Sequence, residues 1–233
     1  MITIMISGLT EYEKYRVIRP IIGEYRLDRF DMPVIWRAAF DGLDWEKLQV
    51  LHYKNLSPQN DNSHVLALMF QYDKVLITLW NNPLKRIPLF RTCAAIATPD
   101  FSLYPSMNPN EIRHNIFQSR WLGCTWQNYG CTVFPTIGWA AADTYDICFS
   151  GVEPGGPVVI STIGCLERQE AFLDGFAEMK RRLSPSMIIV FGKMIQGMAG
   201  TFLHFNYEDA MADRLDQIHM DIIPRVFTIE EVA

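Results

Sequence analysis

The chain has 233 residues, 49% of them apolar and 20% charged, which is the balance and size of one globular domain with a substantial core. Its formal net charge of −5 lacks the basic excess that phosphate-backbone binding draws on, so charge does not indicate a nucleic-acid partner. Five cysteines without a C-x-x-C pair argue against a disulfide framework or a cysteine zinc site, and no apolar run reaches membrane-spanning length.

The amino terminus, MITIMISGLTEYEKYR, has no basic leader and no small-residue cleavage site, so the expected location is the cytoplasm. Residues 1–31 read as an extension: Ile2–Ile6 as a short strand, then a polar and aromatic stretch without a clean period. This extension is expected to pack on the main domain or on another subunit, and it is the candidate surface for a homo-oligomer. The main domain is expected to run from 32 to 233.

Pro33–Ala38 reads as a first strand, and the stretch opening at Asp44 fits helix or strand equally. Leu56–Ser63 is a polar loop. Val65–Phe70 is a continuous apolar run of the kind buried on both faces of a parallel sheet. Leu79–Pro83 reads as a break, with Pro83 in the first turn of a short helix reaching Arg91. Cys93–Thr98 reads as a small-residue strand. Asn108-Pro109-Asn110-Glu111 is a strong helix start, with Asn108 as cap, Pro109 in the first turn and Glu111 completing a capping box; that helix stops near Gly130.

Cys131–Pro135 and Pro157–Thr162 read as strands, and Asp143–Phe149 is ambiguous. A helix over about 167–183 carries Phe172, Phe176, Met179 and Leu183 on one stripe. The consecutive Lys180, Arg181 and Arg182 read as its solvated end, favoured by the helix dipole. Met187–Phe191 and Phe202–Phe205 read as further strands, and Asn206 as the cap of a final helix with Met211, Leu215 and Ile218. Alternating strands and helices imply an α/β fold with parallel pairing and right-handed crossovers. A TIM-like (β/α) barrel, closed or slightly degraded, is expected; an open doubly wound parallel sheet is the alternative.

Both architectures put ligands at the carboxyl ends of the strands. That rule selects Gln71, Tyr72 and Asp73 after one strand, Asp100, Ser102 and Tyr104 after the next, then Thr136 and Trp139, then Ser161, Thr162 and Cys165, then Gly192 and Lys193. Asp100, set between Pro99 and Phe101, is the first candidate: burial beside apolar surface would raise its pKa and suit it to acid–base work, whereas the plain alternative is a loop cap. Arg113 and Arg120 share a helix face and could meet an anion or Asp100, with a solvated pair as the alternative. Trp139 is a candidate stacking platform or a core tryptophan, and Asp143 and Asp146 a weak second-carboxylate pair. Thr162-Ile163-Gly164-Cys165 resembles an anion-binding strand-to-helix turn with a single glycine. The five histidines are dispersed, so no metal site is expected and no cofactor is specified.

Several stretches resemble a known family. They are WNNP at 80–83, TPDFSLYPSM at 98–107, NIFQSRWLGCTWQNYGCTVFPTIGW at 115–139, TYDICFSGV at 144–152, VVISTIGC at 158–165 and FLDGFAEMKRRLSPSMIIVFG at 172–192. Together they are similar to the bacterial and phage proteins grouped as Domain of Unknown Function 4417. The resemblance implies a phage or mobile-element origin, hence the host cytoplasm. It marks Asp100, Ser102, Tyr104, Arg120, Trp139, Tyr145 and Cys165 as motif positions, and implies no activity.

Two functions follow as expectations. One is an enzyme or ligand-binding protein acting on a small anionic or nucleotide-like substrate at the strand ends, with Asp100, Ser102 and Arg120 in catalysis and Tyr104, Trp139, Tyr145, Thr162 and Cys165 in binding. The other is a non-catalytic interaction protein that binds a host protein or a nucleic acid. No membrane partner is expected.

Overall fold

The computed structural model describes residues 10–20, 23, 25–38, 42–206 and 225–227. The expected strand at Ile2–Ile6 and the helix expected after Asn206 lie outside the described residues.

Seven parallel strands follow one another in chain order. β1 (Gln49–His52), β2 (Val65–Leu68), β3 (Ala95–Ala97) and β4 (Val133–Phe134) form one four-stranded sheet. β5 (Val158–Ser161), β6 (Ile188–Phe191) and β7 (Phe202–Phe205) form a second, to which β8 (Arg225–Phe227) adds antiparallel. A parallel bridge from Thr136 to Val159 joins the two, through Val159 N–H donating to Pro135 O at 3.0 Å and Ile137 N–H to Val159 O at 2.8 Å. A doubly wound sheet reverses its strand order at a switch point; among the described strands there is no reversal. The expected strand at Pro33–Ala38 is instead extended backbone held by single bridges, Leu27 to Pro33 and Ile35 to Val152, and the first strand is β1, in the segment that fitted helix or strand equally.

The strands alternate their side chains between two apolar layers. Leu66 and Leu68, Ala95 and Ala97, Val159, Ile189 and Phe191 enter one inner cluster that also takes Val50, Phe134, Leu203 and Phe205. Val65, Ala67 and Ile96 face outward into a second cluster, and Val158, Ile160, Ile188 and Val190 into a third. Burial on both faces explains the continuous apolar runs. Strands spaced ~4.8 Å apart would put β2 and β6 about 19 Å apart in a flat sheet. Yet the rings of Phe70 and Phe191, at the ends of those strands, stack with centroids 4.9 Å apart. The combined sheet therefore curls so that its inner faces meet. Among the described residues, its edge strands β1 and β8 are not hydrogen-bonded to each other.

The helices cover the outer faces. α1 (Glu11–Val17) belongs to the N-terminal segment, α2 (Asp73–Asn81) and α3 (Ile87–Phe90) connect β2 to β3, α4 (Pro109–Asn128) connects β3 to β4, α5 (Tyr145–Cys148) precedes β5, and α6 (Gln169–Leu183) connects β5 to β6. α2 runs into the stretch read as a break, Leu79–Pro83, and buries Leu76, Leu79 and Trp80, an i, i+3, i+4 stripe; Pro83 lies in a turn, and the short helix expected from it begins only at Ile87. On α6 the expected stripe of Phe172, Phe176, Met179 and Leu183 is buried.

α4 starts at the expected cap, but the Asn108 side chain bonds Asn110 rather than Glu111, so the expected capping box does not form. The Asn108 side chain accepts from Asn110 N–H at 2.9 Å, Pro109 fills the first turn, and Gly130 ends the helix region at φ +84°. Residues 118–127 are buried all round, because the sheet packs on one side of α4 and the N-terminal segment on the other. Gly123 makes this sandwich fit: a Cβ there would lie 2.6 Å from Ile35 Cδ1 and 2.7 Å from Thr98 Cγ2. The N-terminal segment is pinned by paired hydrogen bonds between the Gln127 amide and the Trp36 backbone, and by the Arg19 guanidinium 3.5 Å over the Trp80 ring.

Candidate functional site

Groups that follow the carboxyl ends of β2, β4 and β5 gather around Asp100, which itself follows β3. Parallel pairing brings these ends to one side, and each is followed by a turn that must satisfy its own backbone. After β2, Asp73 opens α2, and its carboxylate accepts from Ser102 N–H at 3.0 Å and from Ser102 Oγ at 3.1 Å. These bonds hold the loop after β3 against the start of α2. The Asn115 amide on α4 fixes the same loop from behind, donating to Ser102 O at 2.8 Å. Asp100 is thereby set beside Asp73. After β4, Gly138 comes so close that a Cβ there would lie 3.7 Å from Asp100 Oδ1.

Burial, with the Asp73 charge adding to it, pushes the Asp100 carboxyl from its ordinary 3.8 up to about 7. The Cys165 thiol, after β5, is raised by its own burial and secondarily by the charge of Asp100, so it belongs to the same neighbourhood. Asp100 is thus a group that carries and loses its proton near neutrality. Asp73 accepts two hydrogen bonds from Ser102, one from its backbone N–H and one from its hydroxyl.

Beneath this surface lies a polar floor. Thr98, Thr136 and Thr162 end β3, β4 and β5 and are all buried. Thr136 N–H donates to Thr98 Oγ1 at 2.8 Å, Thr136 Oγ1 to Thr98 O at 2.5 Å, and Ser119 Oγ to Thr98 Oγ1 at 2.9 Å. Thr162 Oγ1 is buried without a hydrogen-bond partner. It lies where Gly192 leaves room, since a Cβ at that glycine would be 2.5 Å away, and φ +113° at Gly192 favours glycine independently.

The other sequence candidates separate. Arg120 does not reach Asp100: it is fully buried and donates through Nε to Ser150 O (3.0 Å) and through its terminal nitrogens to Thr136 O (3.0 Å) and Cys148 O (3.1 Å). Burial pulls its guanidinium down to about 10, so it stays charged at neutral pH and staples the end of β4 to the 148–150 turn. Arg113 donates to Phe30 O at 2.7 Å. Trp139 and Tyr145 join the aromatic layer outside β5, with Trp139 5.0 Å from Phe172 and Tyr145 5.4 Å from Phe149. Tyr104 is exposed. Asp146 pairs with Arg29 at 2.8 Å and Arg182 at 2.5 Å, so the second carboxylate beside Asp100 is Asp73.

The 162–165 turn uses its amides internally: Cys165 N–H donates to Thr162 O and Ile163 N–H to Ser161 Oγ, which removes two of the donors an anion-binding turn would offer. Among the described residues, no three His, Cys, Asp or Glu side chains stand together as a metal-ion site, and no helix is long and apolar enough to cross a membrane. Asp73 was visible as a strand-end residue, but nothing in the sequence couples it to Asp100. The Ser102 tie that does so is a contact across 29 positions.

Fold and site together define a parallel-stranded α/β protein with a two-carboxylate cluster at its strand ends. The chain belongs to the family described as domain of unknown function (DUF4417), whose model matches residues 43–208. It is 36% identical over 120 residues to the Gene 1 protein of Mycobacterium phage D29, a match covering 50% of this chain and 44% of that protein. The Gene 1 protein of Mycobacterium phage L5 matches at 36% over 120 residues, covering 50% of this chain and 52% of its own length. The chain spans about half the length of these curated relatives. No solved structure matches it.

Proposed function

We propose that this chain is a phage or mobile-element protein, working in the host cytoplasm, that holds a small nucleotide-like substrate at its strand ends and exchanges a proton with it through Asp100. The single observation that carries this reading is that Asp73, Gly138 and Cys165, from the ends of β2, β4 and β5, surround Asp100 at the end of β3. A partly buried carboxyl that titrates near neutrality can both donate and accept a proton, which is the requirement for general acid–base work. Asp73 supplies the fixed partner charge, and Ser102 fixes Asp73. The same charge disfavours an anionic group set directly against the pair, so the nucleotide-like half of the expectation is better supported than the purely anionic half. The scaffold that suits this reading is a (β/α) barrel opened at one edge, with β8 reversed where a closing strand would run. Sequential parallel order and the Phe70–Phe191 stack across the interior support it.

The test is a panel of nucleosides, nucleoside monophosphates and sugar phosphates, read by thermal shift and by product analysis with wild type, Asp100→Ala and Asp73→Ala. Loss of binding or turnover in both folded variants is expected. Undiminished binding and turnover in both would overturn the proposal.

A second reading, a non-catalytic interaction protein, draws on the exposed Val17, Ile18 and Leu27 of the N-terminal segment. A dimer that Val17→Ser with Ile18→Ser dissolves would favour it; a monomer at high concentration would remove its support.

A further inference from the structure

The loops around Asp100 carry apolar side chains that the folded chain leaves uncovered. Tyr72 is 78% exposed, Tyr104 59%, Ile163 44% and Leu166 43%. These are four of the nine exposed large apolar side chains among the described residues, so apolar exposure concentrates at the end that holds the carboxylate pair. Their placement is tied to the site by short steps of chain. Tyr72 directly precedes Asp73, and Tyr104 lies two residues after Ser102, whose amide and hydroxyl both bond the Asp73 carboxylate. Ile163 and Leu166 flank Cys165, the thiol that feels the charge of Asp100. An acidic centre thus has exposed apolar and aromatic side chains within two residues along the chain of Asp73, Ser102 and Cys165, and these are its collar.

We infer that this collar and centre take a nucleoside, with the base stacked on Tyr72 or Tyr104 and its N–H and O–H donors turned to the Asp73–Asp100 pair. The inference rests on the proposed function and names its substrate class. Exposed tyrosines stack any heteroaromatic face, because the attraction is to the π surface. Asp73 accepts hydrogen bonds from amino, ring N–H or ribose hydroxyl groups. Asp100 accepts them when ionised and donates one when protonated, so the pair matches a base edge that offers both donors and acceptors. The Asp73 carboxylate disfavours a phosphate set directly against the pair, and the 162–165 turn has two of its amides engaged, so the base rather than a phosphate faces the centre.

Fluorescence titration and saturation-transfer NMR of the full chain would test this, with adenosine, guanosine, cytidine, uridine, ribose and inorganic phosphate as probes. At least one nucleoside is expected to bind wild type, with the strongest saturation on base protons and no competition from phosphate. Tyr72→Ala or Tyr104→Ala should weaken it about tenfold, the scale of base–aromatic stacking, and the matching Tyr→Phe variant should restore it. The inference is overturned if no nucleoside binds, if ribose or phosphate competes as well as the nucleoside, or if both alanine variants bind like wild type. It is also overturned if wild type self-associates through these tyrosines in sedimentation. Carboxyl-carbon NMR reads Asp100 separately: titration near neutrality without nucleoside binding would leave the proton-transfer reading standing and remove only this one.

Discussion

Replacing Asp100 with asparagine should stabilise the folded protein, and the gain should depend on pH. Raising a carboxyl from 3.8 to about 7 disfavours its charged form by about 4 kcal/mol. Because the folded-state pKa lies above the unfolded one, the folded chain binds the extra proton between those values. Stability from this group is therefore fully present below about pH 3.8 and is lost as pH rises toward 7. At pH 8.5 wild type bears nearly the whole penalty of about 4 kcal/mol, whereas at pH 5 it bears between 1 and 2, roughly, since most of the folded chains have kept their proton. The substituted amide carries no charge at either pH. The stability advantage of Asp100→Asn, measured by urea unfolding at both values, should thus be larger at pH 8.5 by about 2–3 kcal/mol. An advantage equal at the two pH values, or a variant less stable than wild type at pH 8.5, would refute the argument that burial of this carboxyl sets its chemistry.

Asp73→Asn should lower the Asp100 carboxyl below about 7 yet leave it above 3.8, because burial is the larger of its two causes; a carboxyl-carbon NMR titration reads this directly. Arg120→Met should cost about 3 kcal/mol or more in urea unfolding, since it strips the donors from three backbone carbonyls inside the fold, and a loss under about 1 would contradict the staple role. Gly175→Ala should destabilise by about 1–3 kcal/mol and shift the tryptophan emission, because its Cβ would sit 2.1 Å from Trp139 Nε1. Cys93 and Cys131, with thiols pushed up to about 11 and about 12 chiefly by burial, should resist iodoacetamide at pH 8 until urea unfolds the chain.

Much of the fold was legible along the chain because it is written in local patterns. The apolar runs at Val65, Pro157 and Met187 became β2, β5 and β6, the Asn108-Pro109 start became the head of α4, and the four-residue stripe on α6 is buried as its spacing requires. The misreadings have physical reasons. α2 has no side-chain N-cap, so its start carried no signal, and the pattern Leu76, Leu79, Trp80 was hidden by the asparagines and proline that follow. Pro33–Ala38 has strand composition, but it packs across α4 and finds only single bridges.

The site divides in the same way. That Asp100 would stand at a strand end followed from parallel topology and from the apolar run that precedes Pro99. Which groups meet Asp100 was decided by the tertiary structure alone. Arg120 and Asp100 lie in the same family motif, but α4 turns Arg120 inward to three carbonyls, and Trp139 turns outward onto α6 at Gly175. Asp73 arrives from another strand through Ser102. Periodicity records which face a residue takes on its own element, because that is a property of neighbours in the chain. The pairing of Asp73 with Asp100 depends on the curl of the sheet and the packing of the loops upon it, which no local pattern carries.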